Sequence, residues 1–326
     1  MYLPSILAFF TQITLGFTSP DFRFPFETGS LEVGNHKEPE TTPKEYQLQT
    51  TKIDFTLRPK SLLPHSNTDI YVLTFNSPIK SPHLENNTVY AEYYVPKGEK
   101  IFPATIVLDI TGGDQSLSRS IATHLASKGV GALFVQMAYY GPRRPPKSGI
   151  RLLSPDLKHT FRAIQQTVLD VRTAVAWLKS REEVDKKRIA ITGTSLGSMV
   201  GALSAEMEPD VTKVVVLLGG GGLIEGYLEH PAAKPFKQAF LLFGGKKEDL
   251  SKLLAPVDPI TRAENLKSKQ VIQFAGSRDE IVPPQMAKLL WEKSGQQTIY
   301  WYDCGHYSAA WYLFDVLQKI VKHLKD

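Results

Sequence analysis

The segment Gly193-Thr194-Ser195-Leu196-Gly197 follows the apolar run Arg188-Ile-Ala-Ile-Thr192 and precedes a helical stretch starting near Ser198. This is G-x-S-x-G in the context it needs: a buried strand, a turn too tight for side chains at the flanking positions, and a helix whose N-terminus faces the turn. The chemistry it points to is nucleophilic attack by the Ser195 hydroxyl. The competing reading is a glycine-rich connection in which Ser195 only caps the helix. A serine hydroxyl at neutral pH needs a base within hydrogen-bond reach, itself oriented by a third group. Two later segments supply both. Asp279 falls in Gly276-Ser277-Arg278-Asp279-Glu280, after the strand expected at Gln270–Phe274, and His306 falls in Asp303-Cys304-Gly305-His306, after the strand expected at Thr298–Tyr302. Of the eight histidines, only His306 follows a strand end beside a glycine. Asp279 also has an ordinary reading as a turn former, with Glu280 and Glu225 as fallback acids. Cys304 reads as a small, half-buried apolar residue rather than as a nucleophile.

These residues must be positioned by a sheet. From Asp69 onward the apolar runs are short, rich in Val, Ile, Tyr and Phe, and separated by helical stretches, which predicts a mainly parallel sheet of eight strands with helices on both faces. The strands are expected near Ile70–Phe75, Thr88–Val95, Thr105–Ile110, Gly131–Val135, Arg188–Thr192, Lys213–Leu218, Gln270–Phe274 and Thr298–Tyr302. The clearest helices are expected near Ser116–Lys128, Pro155–Arg181, Ser195–Met207, Pro284–Ser294 and Tyr307–Leu324. Val168, Val171, Val175 and Leu178 recur at helical spacing and form a face that should pack on the sheet. The first two strands are joined without a helix, so the sheet should open as an antiparallel meander. The catalytic domain is placed at 53–326. Residues 20–52, rich in Pro, Gly, Thr and Glu, are expected to form an irregular arm or linker. The stretch 219–266 is too long for an ordinary crossover and is the natural place for a small cap facing the substrate.

Together, Gly193 to Gly197, Gly276 to Asp279 and Gly305-His306 resemble the α/β-hydrolase fold enzymes, over about Asp69 to Leu324. Within that superfamily Asp170-Val-Arg172-Thr-Ala-Val-Ala-Trp177-Leu and Val184-Asp185-Lys186-Lys187-Arg188-Ile189 look like the dienelactone hydrolase, acetyl xylan esterase and prolyl oligopeptidase-like branch. The resemblance implies acyl transfer, with two backbone donors holding the oxyanion. One is the N–H of Leu196, after the nucleophile. The other comes from the loop Asp109-Ile-Thr-Gly112-Gly113-Asp114, where Gly113 is the choice over Gly112 and Asp114. The family often carries His-Gly there, and this chain carries Thr111-Gly112.

The expected activity is hydrolysis of a small-molecule or carbohydrate-linked carboxylic ester by Ser195, His306 and Asp279. A neutral His306 is required, so activity should fall with acidification through the histidine range. The alternatives are a peptidase or amidase of prolyl oligopeptidase type and a non-catalytic binding protein on the same scaffold. Tyr140, Arg143 and Arg144 follow the fourth expected strand and are candidate substrate contacts, the arginines through a carboxylate. The competing reading is a proline-stiffened loop whose arginines are solvated or paired within the protein. The run Gly219 to Gly222 does not complete G-x-G-x-x-G, Gly245-Lys246 lacks the upstream glycine of a P-loop, and no H-E-x-x-H or cluster of metal ligands is present, so no cofactor or metal is expected.

Composition bounds the rest. The chain has 326 residues, 42% hydrophobic and 22% charged, enough to bury a core and too little charged for disorder. The formal charge of +5 comes with no dense basic block, so nucleic acid is not the expected partner. The single cysteine excludes an intramolecular disulfide. Residues 1–19 form a candidate signal peptide around Ile6-Leu7-Ala8-Phe9-Phe10, too short and polar for a stable membrane span and without a preceding Lys or Arg. Export is therefore favoured slightly over a cytoplasmic location. Asn86-Asn87-Thr88 is a glycosylation sequon whose use would depend on that export. Oligomeric state is not legible.

Overall fold

The computed structural model describes residues 22–34, 38–60, 67–112, 114–227, 238 and 247–326. The candidate signal peptide and Gly113 lie outside them. Ten strands form one sheet: β1 (Glu27–Val33), β2 (Thr51–Pro59), β3 (Thr68–Asn76), β4 (Thr88–Pro96), β5 (Phe102–Leu108), β6 (Gly131–Val135), β7 (Val184–Thr194), β8 (Lys213–Leu217), β9 (Gln270–Gly276) and β10 (Thr298–Tyr302). Their order is β1-β2-β3-β4-β6-β5-β7-β8-β9-β10. From β1 through β4 to β6 neighbours run antiparallel, and from β6 through β5 to β10 they run parallel. The sheet is thus mixed, with the antiparallel portion larger than expected.

The difference lies in the arm. β1 falls inside the segment expected to be irregular, and β1 and β2 extend the sheet beyond the eight anticipated strands. β1 is an edge strand whose residues alternate between partly covered and exposed, so Glu27-Thr-Gly-Ser-Leu-Glu-Val33 carries too weak an apolar alternation to announce itself. Arg172 ties down two later points of the arm, Glu38 and Tyr46. Arg172, buried in the second helix, bonds Glu38 (2.8 Å), the carbonyl of Tyr46 (2.6 Å) and Glu208 (3.0 Å).

The helices are α1 (Ser116–Ser127), α2 (Leu157–Ser180), α3 (Leu196–Met207), α4 (Lys247–Leu254), α5 (Pro284–Lys293) and α6 (Leu313–Lys325). Asp156 starts α2 by accepting the N–H groups of Lys158 and His159. The central strands are buried on both faces, and their side chains alternate between two cores. Ile189, Ile191, Val214 and Val216 join Val168, Val171, Val175 and Leu203 of α2 and α3 on one side. Ala190, Val215 and Leu217 join Ile121 and Leu125 of α1 and Ile320 and Leu324 of α6 on the other. Among the described residues no helix is long and apolar enough to cross a membrane.

The described parts of 219–266 bury Ala263 and Leu266 in the α2–α3 core, and Asp258 pins the segment's neck by accepting the N–H groups of Gly222 (2.8 Å) and Leu223 (2.5 Å). These described residues join the helical layer, and the middle of the expected cap, 228–237 and 239–246, lies outside the described residues. Asn86 of the sequon is fully buried, with Nδ2 on Gln166 and Oδ1 on the N–H of Tyr139, which leaves no accessible amide for a glycan in the folded chain.

Candidate active site

Ser195 occupies the turn between β7 and α3 with φ 53° and ψ −119°, a left-handed conformation that serine adopts only under constraint. The constraints are visible. Its N–H donates to Leu217 O on β8 (2.7 Å), and its carbonyl accepts Ser198 Oγ (2.7 Å). The flanking glycines are required by contact: a Cβ on Gly193 would lie 2.1 Å from Gly197 O, and one on Gly197 would lie 2.4 Å from Asp109 O. The hydroxyl therefore stands at the start of α3, where the first helical N–H groups, beginning with that of Leu196, lack acceptors within the helix.

The two expected partners converge on it. His306 Nε2 lies 3.0 Å from Ser195 Oγ, and His306 Nδ1 lies 2.7 Å from Asp279 Oδ2. An ionised carboxylate can only accept, so Nδ1 carries the hydrogen and Nε2 turns its lone pair to the serine hydroxyl. Asp279 is also the turn former of the competing reading. Its second oxygen, Oδ1, accepts the N–H groups of Ile281 (2.9 Å) and Val282 (2.8 Å), so the local turn holds the carboxylate that faces the imidazole. Glu280 reaches only the backbone N–H of His306, at 3.4 Å, and no hydrogen bond joins Glu225 to His306. Cys304 is buried, and that burial raises its thiol pKa, which argues against a thiolate role.

The substrate candidates land elsewhere. Arg143 is fully buried, paired with Asp170 Oδ2 (2.7 Å) and donating to the carbonyls of Gln136 (2.8 Å) and Asn86 (2.9 Å). It holds the β6–α2 connection to α2 and has no donor directed at the cavity. Arg144 donates to Tyr139 O (3.3 Å). The Tyr140 hydroxyl accepts the N–H of Gly112 (3.1 Å) and donates to Ile110 O (3.1 Å), and its burial raises its pKa. Tyr140 is therefore an anchor for the loop after β5. Beside it Asp109 is buried, accepts Ser118 Oγ (2.8 Å), and has its pKa raised by that burial.

Ser195 and His306 open into a cavity of about 330 Å³. Its wall includes Ile110 and Thr111 from the β5 loop, Leu117 and Ile121 from α1, Phe274 from β9, and Leu313 and Val316 from α6. No described residue of 219–266 lines it. Among the described residues no group of His, Cys, Asp or Glu is arranged to hold a metal ion.

The comparisons agree with this architecture. Residues 159–300 match the model of the prolyl oligopeptidase family, and residues 68–222 that of alpha/beta hydrolase domain containing 18. The chain is 25% identical over 188 residues to the uncharacterized protein Rv2627c of Mycobacterium tuberculosis, a match covering 55% of this chain and 42% of that protein. It thus spans less than half the length of that relative. Among solved structures, the acetyl xylan esterase of Paenibacillus sp. R4 superposes with a TM-score of 0.65 at 17% identity, over 82% of this chain and 88% of that one. Acetyl xylan esterase 1 of Thermoanaerobacterium sp. JW/SL YS485 does so with 0.62 at 19% identity, over 83% and 88%. At these identities the superpositions speak to fold alone. Two overlapping family models and a sheet whose parallel half carries the serine turn between β7 and α3 lead to one conclusion: the chain belongs to the α/β-hydrolase superfamily.

Proposed function

We propose that the protein is a serine hydrolase acting on carboxylic esters through an acyl-enzyme. Ser195 Oγ attacks the carbonyl carbon while His306 Nε2 takes its proton, and Asp279 stabilises the imidazolium that forms. The oxyanion is held by the N–H of Leu196 and by a backbone donor from the loop after β5, for which Gly113 is the candidate. His306 then gives the proton to the leaving alcohol as the carbon–oxygen bond breaks. In the second half it takes a proton from water, the hydroxide adds to the acyl carbon, and the proton returns to Ser195 Oγ as the acid departs. The observation that carries the reading is the continuous relay from serine to imidazole to carboxylate at 3.0 and 2.7 Å.

The match to the prolyl oligopeptidase family model favours amide hydrolysis as a second reading with the same three residues. One experiment addresses both. p-Nitrophenyl acetate and butyrate and an aminoacyl-proline anilide are offered to the wild type and to Ser195→Ala, with a fluorophosphonate probe as an independent reporter of the nucleophile. Ester turnover lost in Ser195→Ala, with labelling at Ser195, is the expected result. Turnover of the anilide alone moves the assignment to a peptidase. Inactivity on all three substrates without labelling leaves a binding protein on a hydrolase scaffold.

A further inference from the structure

The cavity beside Ser195 is mostly apolar. Its apolar wall includes Leu117, Ile121, Leu217, Phe274, Leu313 and Val316, and among the described residues no Asp, Glu, Lys or Arg lines it. Besides the serine and the imidazole, its polar contributions come from Thr111, Thr194 and Tyr307. A polyhydroxylated or charged group would leave its polar atoms without partners there. An acetyl group would fill a small fraction of it and leave the remaining wall uncovered. We propose that this cavity receives the acyl chain of the substrate, and that the substrates are esters of unbranched fatty acids of about eight to twelve carbons.

The length follows from volume. An apolar cavity of about 150 Å³ takes up benzene, six carbons, so the present cavity of about 330 Å³ accommodates roughly a dozen. The assignment to the acyl rather than the alcohol side follows from the order of events in the ester-hydrolase reading, on which this proposal rests. The alcohol must leave before water attacks, whereas the acyl group stays bonded to Ser195 through both halves, so an apolar recess beside the nucleophile suits the part that is retained. The apolar surface continues outward from the mouth. Tyr307, which lines it, is 74% exposed, and on the same segment Trp311 is 89% exposed and Phe314 69% exposed. A chain longer than the recess meets aromatic surface as it emerges.

The test varies each half of the ester separately. With the alcohol fixed as p-nitrophenol, the acyl group runs from acetate to hexadecanoate. With the acyl group fixed as acetate, the alcohol runs from ethanol to decanol, followed by titration of the released acid. The expected kcat/KM rises about fourfold per methylene along the acyl series, the yield of desolvating each one, and peaks at eight to twelve carbons. The alcohol series should stay nearly flat. Ala309→Trp, at a partly exposed wall position, adds volume and should lower the decanoate-to-acetate ratio at least tenfold; Val316→Ala removes volume and should move the peak to a longer chain. The proposal is overturned if acetate is turned over in a Ser195-dependent manner and kcat/KM is flat or falls from acetate upward. It is equally overturned if the length preference follows the alcohol. If no ester, acetate included, is hydrolysed and Ser195 is not labelled, the ester-hydrolase reading itself fails and the proposal with it.

Discussion

Replacing Asp279 by Asn changes one atom in shape and reverses the hydrogen-bonding logic of the site. The Asp279 carboxylate accepts on both sides: Oδ1 takes two backbone N–H groups, from Ile281 and Val282, and Oδ2 faces His306 Nδ1. An asparagine has one accepting oxygen and one donating nitrogen. Turning the nitrogen toward the turn would set it against two N–H groups and leave both unpaired, at about 1–3 kcal/mol for the buried one of Val282 and less for that of the exposed Ile281. Turning it toward His306 costs only a change of tautomer, so the variant should keep its oxygen on the turn and present Nδ2–H to Nδ1. Nδ1 must then accept, and the imidazole hydrogen moves to Nε2, 3.0 Å from Ser195 Oγ. In that state His306 donates to the serine and has no lone pair to take its proton. The expected loss in kcat is about 10⁴-fold, or about 5.5 kcal/mol of transition-state stabilisation, with folding unaffected. The assay is hydrolysis of the best p-nitrophenyl ester by matched preparations, alongside thermal unfolding to verify the fold. Activity within tenfold of wild type in a variant with an unchanged midpoint would refute both the tautomer argument and the role of Asp279.

Other perturbations separate structural charges from functional ones. Arg143→Ala leaves Asp170 as a buried carboxylate without its cation and should cost about 3–5 kcal/mol, seen as a thermal midpoint lower by roughly 4–7 °C. Arg144→Ala, which loses one bond to Tyr139 O, should leave the midpoint within about 2 °C. His323 is held neutral, its pKa lowered to about 4 mainly by burial on α6 and further by Lys213. The unfolded chain therefore binds more protons between pH 6.5 and 4, so the stability from this group is full above pH 6.5 and lost as pH falls through about 4. After allowance for partial exposure the loss is on the order of 2 kcal/mol. Urea unfolding of His323→Gln should show a correspondingly flatter acid limb.

The elements that position the site were legible because they are buried on both faces. Runs such as Ile189 to Thr192 and Val214 to Leu217 have no solvent-facing alternation and only one way to be accommodated, between helices. The order Ser195, Asp279, His306 was legible because parallel strands deliver every strand-end turn to one edge. What escaped was side-chain destination in loops. Arg143 beside prolines reads as a substrate contact or as solvated or paired within the protein, and Asp170 in the apolar stretch Val168-Leu-Asp-Val171 of α2 was the available sign that singled out the buried pair. Tyr140 gave no such sign, since its two bonds go to backbone atoms of Ile110 and Gly112, which no pattern of residue types specifies. The cavity escaped for a related reason. Its walls come from α1 and α6, far apart in sequence, and helical spacing shows which residues face inward without showing the gap between two facing helices.

The geometry of the three residues is held by the sheet as much as by the residues themselves. Pairing between β9 and β10 does not stop at the strand ends. Ser277 N–H bonds Tyr302 O (2.8 Å) and Arg278 N–H bonds Cys304 O (3.0 Å), so the ladder runs on to within a residue of Asp279 and two of His306. Glu280 and the Arg278–Asp303 pair add a second tie between the same two loops, the latter exposed and worth little by itself. On the other side Leu218 N–H bonds Phe274 O (2.8 Å), and Ser195 N–H bonds Leu217 O (2.7 Å). Each residue of the relay is thus one or two hydrogen bonds from a single rigid ladder crossing β7, β8, β9 and β10. A displacement of about 1 Å between base and nucleophile costs on the order of a hundredfold in rate, more than the separate loops would prevent. Placing nucleophile, acid and base just beyond the ends of β7, β9 and β10 of one parallel sheet makes that displacement a deformation of the sheet, which close packing of its core opposes.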